Sequence, residues 1–268
     1  MALENPGPAW LFCPADRPER FGKAAAAADV VILDLEDGVA AKDRDAARAA
    51  LIDTPLDPGR TVVRVNPSGT ADHELDLQTL AKTSYTTVML AKTDTAQQVS
   101  ALAPLDVIVL VETPLGALNV VETTRADNAY AVMWGAEDLF ALTGGTANRR
   151  TDGTYRDVAQ HVRSQSLLAA KAFGRLALDS VYINIKDLDG LRAESDDAVA
   201  VGFDGKVAIH PSQVAVIRGA YTPTDEQVRW AQQVLAEVAN QRGVFQFDGL
   251  MVDAPVLRRA ERIVALAP

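Results

Sequence analysis

The chain has 268 residues, a length that a single α/β barrel reaches without a second domain. Its apolar content of 48% supplies a sizeable core, and a net charge of −10 excludes nucleic acid or an anionic membrane as partner, since both need a basic face. One cysteine, Cys13, rules out an internal disulfide; with no apolar run near the ~20 residues of a membrane span and no basic-then-apolar start in MALENPGPAW, the expectation is a cytoplasmic protein.

Strand-like and helix-like segments alternate along the chain. Apolar runs at 10–13, 30–33, 61–65, 86–90, 106–111, 130–134, 178–185 and 206–209 read as strands. Helical patterns at 23–28, 41–52, 75–82, 96–102, 116–125, 155–173, 188–201 and 212–220 lie between and after them. Such alternation with short connections means parallel strands with helical crossovers, and eight units in this length predict a closed (β/α)8 TIM barrel. No GxGxxG follows the first strand, which weighs against an open dinucleotide-binding sheet. The barrel domain is expected over 1–222 and a C-terminal helical extension over 223–268. Within that extension, 225–240 and 255–267 read as helices, with 245–253 between them as a Gly-containing aromatic segment.

Chemistry in such a barrel sits at the C-terminal ends of the strands. There the sequence places Asp16 and Arg17, then Asp34, Glu36 and Asp37, then Arg64 and Asn66, Lys92, Glu112, Glu137 and Asp138, Asn184 and Asp187, and His210. Acids outnumber bases, so the mouth calls for a cation. An oxygen-only donor set without a His or Cys cluster points to Mg2+ or Mn2+ rather than zinc.

Several of these residues have a second, structural reading. Arg64 either meets a ligand or neutralises a neighbouring acid. Glu112, before a Thr-Pro turn, is a metal ligand or the cap of the next helix. Either Glu137 or Asp138 is a ligand or a cap, and Gly135 gives the backbone room for exposed N–H groups to hold a carboxylate. Arg17 is a ligand group or half of a surface pair with Asp16. His210 either acts or bonds a backbone carbonyl. Cys13 is a nucleophile or a small packed residue, and His73 and His161 read as surface or packing residues.

The motifs LFCPADRPERF, VVILDLEDGVA, VVRVNP, VMLAK, VLVETPLGALN, MWGAEDL, AIHPSQ and FDGLMVDAPVL occur in order along nearly the whole chain. Together they resemble the citrate lyase beta-subunit family, with its malyl-CoA and citramalyl-CoA lyase relatives and the wider HpcH/HpaI aldolases. The resemblance implies a Mg2+ site held by Glu112 and Asp138. It implies that Arg64 faces the substrate carboxylate or thioester oxygen and that the backbone at Gly135, Ala136 and Glu137 binds a keto-acid carboxylate. Glu36 and Asp37 match acids around the metal's waters, and Lys92 and Arg17 are the remaining substrate-binding candidates. Asp253 matches an aspartate that reaches an adjacent subunit's active site as catalytic acid or base, which goes with a homotrimer or hexamer.

One departure is visible: relatives often read LPK where this chain has Leu90-Ala91-Lys92. The implied activity is a carbon–carbon lyase that cleaves or forms a 3-hydroxyacyl-CoA of the malyl-CoA or citramalyl-CoA type, with CoA thioester and 2-keto acid as substrates. The alternatives are a CoA-independent aldolase for 4-hydroxy-2-keto acids and the citryl-lyase subunit of a citrate lyase complex.

Overall fold

The computed structural model describes residues 3, 6–238 and 243–267. Eight parallel strands close into a barrel in the order β1 to β8. They are β1 (Ala9–Pro14), β2 (Val30–Asp34), β3 (Thr61–Val65), β4 (Thr87–Leu90), β5 (Asp106–Val111), β6 (Ala129–Trp134), β7 (Leu176–Asp179) and β8 (Gly205–Ala208). Closure is made by β1 pairing β8, with Trp10 opposite Val207. Helices α1 (Phe21–Ala27), α2 (Arg44–Asp53), α3 (Ala71–Leu80), α4 (Ala96–Ser100), α5 (Pro114–Leu118), α6 (Val120–Arg125), α7 (Ala136–Leu142), α8 (Asp157–Ala172), α9 (Leu188–Val201) and α10 (Pro211–Tyr221) follow the strands.

The expected barrel is therefore the observed one. The strand alternation decides what points inward. Trp10, Val30, Ile32, Val62, Met89, Ile108, Leu110, Met133, Leu178 and Val207 form one buried cluster. One pleat step beyond Ile32, Val62 and Leu110 come Asp34, Arg64 and Glu112. The same inward face that packs the core thus presents charged groups at its C-terminal end.

Local boundaries differ from the sequence expectation in four places. β7 stops at Asp179, so the apolar run to 185 is not strand. Asp187 lies in the loop after β7 and caps α9, accepting from Gly190 N at 2.9 Å, and its other oxygen takes the Tyr182 hydroxyl at 2.5 Å. The helix expected over 116–125 breaks at Asn119 into α5 and α6. The stretch after Gly135 is helical, forming α7.

The fourth difference lies near the C-terminus. The chain divides into two compact units, Met1–Ile217 and Arg218–Pro268. The second holds α11 (Asp225–Glu237), a hairpin of β9 (Phe245–Phe247) and β10 (Leu250–Val252), and α12 (Ala254–Leu266). The expected helix over 225–240 ends beyond the described residues. A capping box starts α11, with Thr224 accepting from Gln227 N and the Gln227 side chain returning to Thr224 N. The hairpin was not anticipated. Its turn is Asp248-Gly249, both with positive φ, the dipeptide that suits a tight antiparallel reversal. Ala231, Val234, Phe245, Val252 and Ala260 form this unit's own core. Among the described residues, no helix is long and apolar enough to cross a membrane.

Candidate active site

The opening acids of VVILDLEDGVA fold back on themselves. Asp34, at the end of β2, accepts from Glu36 N at 2.9 Å and from Gly38 N at 2.8 Å. Gly38 is required by that approach, because a Cβ there would lie 2.3 Å from Asp34 Oδ2. Arg64 on the neighbouring strand completes the arrangement. Its Nε donates to Asp34 Oδ1 at 2.7 Å and its Nη2 to Oδ2 at 2.6 Å, the planar bidentate fork. The register makes this pair, since Asp34 and Arg64 stand opposite each other in the β2–β3 ladder. Arg64 also lies 3.3 Å from Glu36 Oε2 and packs its guanidinium 4.6 Å from the Phe12 ring centroid. Burial works against the Arg64 charge, yet Asp34, Glu36 and Glu112 outweigh it and drive its pKa up.

Lys92 supplies the second positive charge. Its Nζ is 2.5 Å from Glu36 Oε1, 3.2 Å from Asp37 Oδ2 and 3.4 Å from Asp138 Oδ1. Its backbone N–H donates to Glu112 Oε1 at 2.8 Å. Glu36 is buried, and desolvation raises its pKa against the pull of Arg64 and Lys92. Burial pushes Glu112 higher, to about 8, with Arg64 and Lys92 opposing and Asp138 and Glu36 adding repulsion. Gly135, the next inward position after Met133, leaves that carboxylate its space: a Cβ there would sit 3.0 Å from Glu112 Cβ and 3.1 Å from Oε2.

The structure shows which caps and pairs these residues make. Thr113, not Glu112, caps α5, its hydroxyl accepting from Gly116 N at 2.8 Å. Gly135 is the N-cap of α7, which has no side-chain capping bond, so neither Glu137 nor Asp138 caps it. The two acids part company in the first turn. Asp138 turns to Lys92, whereas Glu137 Oε1 accepts from Asn148 Nδ2 at 2.6 Å. Arg17 is half-exposed and pairs with Asp16 at 3.7 Å. His210 is exposed and bonds Ser212 at the start of α10. Cys13 is buried, and burial raises its thiol to about 11, the behaviour of a packed residue. Asn66 is buried and bonds Asp76 and Leu35 O, while His73 bonds Asn66 O; both hold the loop after β3. Asp253 begins α12 in the second unit as its N-cap, accepting from Val256 N at 3.4 Å.

Two participants escaped the sequence reading. Phe12 stacks on Arg64, and Asn148 fixes Glu137. The alternation of β1 could have pointed to Phe12, but no local signal marks Asn148.

The barrel mouth thus gathers Asp34, Glu36, Asp37, Glu112 and Asp138 around Arg64 and Lys92. Among the described residues, no three His, Cys, Asp or Glu side chains close on one point as a ligand set. The donor chemistry still suits one kind of ion. Glu112 is a buried carboxylate short of positive charge, and Asp138 is a hard oxygen donor beside it. A small divalent cation that uses one or two carboxylates and fills its remaining positions with water or ligand oxygen matches that set.

The sequence matches the HpcH/HpaI aldolase/citrate lyase family over residues 9–211. A citrate lyase subunit beta-like protein of Mycobacterium tuberculosis is 61% identical over 267 residues, covering 100% of this chain and 98% of its own length. The mitochondrial citramalyl-CoA lyase of Rattus norvegicus is 34% identical over 98% of this chain and 86% of its own length. The crystal structure of CitE from M. tuberculosis in complex with magnesium, acetoacetate and coenzyme A superposes with a TM-score of 0.96 at 62% identity, covering 98% of both chains.

Proposed function

The chain belongs to the HpcH/HpaI aldolase/citrate lyase family, and from that premise we propose that it is a Mg2+-dependent lyase acting on a CoA thioester. Its substrate class is a 3-hydroxyacyl-CoA of the malyl-CoA or citramalyl-CoA type, cleaved to acetyl-CoA and a 2-keto acid. The observation that carries this reading is the excess of buried carboxylate at the mouth, beside an arginine held rigidly in place. A lyase and a magnesium-bound homologue among the relatives support it.

Glu112 and Asp138 would hold the divalent ion. When bound there, the ion would supply Lewis-acid polarisation of the keto-acid oxygen. The chain's own groups do the rest. Arg64 has five N–H donors: Nε and Nη2 donate to Asp34, and Nη1 lies 3.3 Å from Glu36 as an ion pair. The remaining Nη hydrogens are the donors for a substrate oxygen. Because Asp34 fixes the guanidinium plane, those donors need no reorganisation as negative charge grows on the thioester oxygen.

In the cleavage direction a base removes the proton of the 3-hydroxyl. The carbon–carbon bond breaks, the hydroxyl carbon becomes the keto group, and the electron pair passes into the thioester enolate. The backbone N–H groups from Ala136 to Asp138 receive the keto-acid carboxylate, and Phe12 keeps the floor beside Arg64 apolar. Asp253 protonates the acetyl carbon, reaching the site of a neighbouring subunit in a homotrimer or hexamer.

The test is a panel of 3-hydroxyacyl-CoA thioesters with Mg2+, reading acetyl-CoA and the keto acid, beside CoA-free 4-hydroxy-2-keto acids. Thioester cleavage is expected, and equal turnover of the CoA-free compounds would overturn the thioester requirement. Glu112→Ala and Asp138→Ala should each abolish Mg2+ binding and cleavage; full activity in either would sink the ligand assignment. Asp253→Asn should fold, bind Mg2+ and turn over at a small fraction of the parent rate.

A further inference from the structure

Lys92 has a backbone that its residue type does not favour. Its φ is +49°, in the left-handed region, where a side chain other than that of Gly, Asn or Asp is uncommon. The sequence gives no turn signal there, and Ala91 precedes it. The conformation has two consequences in the structure. It turns the Lys92 N–H onto Glu112 Oε1 at 2.8 Å. It also sends the side chain across the mouth, where Nζ stands among Glu36, Asp37 and Asp138. One residue therefore touches four of the five mouth carboxylates, and its ammonium already has three acid partners.

We infer that Lys92 is a positioning residue with two separable parts: a left-handed backbone that aims Glu112, and an ammonium that serves as the mouth's built-in cation and sets how tightly a divalent ion binds. The inference rests on the proposal that Glu112 and Asp138 hold that ion. With all groups ionised, five carboxylates face two fixed positive charges. The ammonium neutralises part of the acid excess and repels an incoming divalent ion at close range. Removing it leaves the carboxylates to Arg64 and the metal, so affinity for the metal rises. Backbone strain of this kind persists where the surrounding structure holds it and tends to mark functional positions.

Three variants of the full chain separate the parts. Lys92→Met keeps the side chain's apolar stem and deletes the charge. Lys92→Gly deletes the charge and suits the positive φ. Lys92→Ala deletes the charge and opposes it. Mg2+ affinity is measured by calorimetry, and thermal unfolding is followed in chelator and in saturating Mg2+.

Lys92→Met should bind Mg2+ about tenfold more tightly than the parent and gain more in unfolding temperature from Mg2+ than the parent does. Lys92→Ala should unfold about 2–4 °C below Lys92→Gly in chelator and bind Mg2+ more weakly than Lys92→Gly. Parent affinity in both Lys92→Met and Lys92→Gly overturns the built-in-cation part, as does weaker binding in both. Equal unfolding temperatures for the Gly and Ala variants overturn the backbone part. If the parent itself binds no Mg2+, the metal reading fails and takes the built-in-cation part with it. The Gly–Ala comparison in chelator still decides the backbone part on its own.

Discussion

Two of the buried charge clusters in the barrel unit are built on opposite principles. One faces inward at the mouth, around Asp34, Arg64, Glu36, Lys92 and Glu112. The other faces outward, between the strands and the helix layer. There Asp179 of β7 takes Trp134 Nε1 at 2.8 Å, Arg163 Nε at 3.0 Å and Lys206 Nζ at 3.0 Å. Lys206 also reaches Glu194 at 2.8 Å, and Glu194 holds Arg149, whose guanidinium stacks 3.7 Å from the Tyr155 ring centroid. In the outward cluster Asp179, Glu194 and Asp197 are matched by Lys206, Arg163 and Arg149. In the inward cluster five acids meet two bases. Burial tends to raise both carboxyls, but Lys206 and Arg163 hold Asp179 down at about 2, whereas Glu112 rises to about 8. Burial of charge alone therefore does not mark a functional site. What distinguishes the mouth is burial left unbalanced.

That contrast can be broken from the balanced side first. Lys206→Met removes a fully buried ammonium and leaves Asp179 and Glu194 each short of one charge partner. Removing one partner of a buried pair costs about 3–5 kcal/mol, so urea denaturation should register the largest loss of any variant considered. A stability within about 1 kcal/mol of the parent would mean that the cluster contributes no more than a surface pair.

The same cluster gives a pH signature. The folded Asp179 carboxyl lies below its ordinary 3.8, so its contribution is present above that value. It is lost as the pH falls through the folded pKa of about 2. Denaturation midpoints in the parent should decline across that acid window, and Asp179→Asn should flatten this part of the decline. Gly38→Ala comes next. It drives a methyl into Asp34 Oδ2, so the carboxylate must leave its bidentate position on Arg64. A loss of about 1–3 kcal/mol should accompany a fall in kcat, because Arg64 is then no longer held in place.

How far the sequence could lead follows from the same geometry. Barrel strands are buried on both faces, so TVVRV and DVIVLV stand out as apolar runs whose ends match β3 and β5. The run after Leu178 also holds β-favouring residues yet leaves the sheet after Asp179, and Tyr182 bonds Asp187 in the loop that follows. The short α7 was hidden behind Gly135, which reads as loop. At the mouth, residue types were legible and partners were not. Asp34 and Arg64 are 30 residues apart, and Lys92 lies 56 from Glu36, so only strand register brings them together. The division of Glu137 from Asp138 depends on Asn148, eleven positions downstream of Glu137, in a loop without a motif. The left-handed turn at Lys92 is a tertiary demand imposed on an unremarkable residue.

The smallest stability effect sharpens the contrast from the other side. Glu112→Gln keeps the size and one carbonyl oxygen to accept the Lys92 N–H, while it deletes a charge that burial, Asp138 and Glu36 oppose. In chelator the variant should be as stable as the parent or up to about 1 kcal/mol more stable, opposite in sign to Lys206→Met. In saturating Mg2+ the order should reverse, because the parent gains stability from a ligand that the variant no longer binds tightly. A loss in chelator as large as that of Lys206→Met would mean that Glu112 is held as a structural ion after all. Equal loss in both would place the two clusters in one class and remove the physical reason for seating a cation at the mouth.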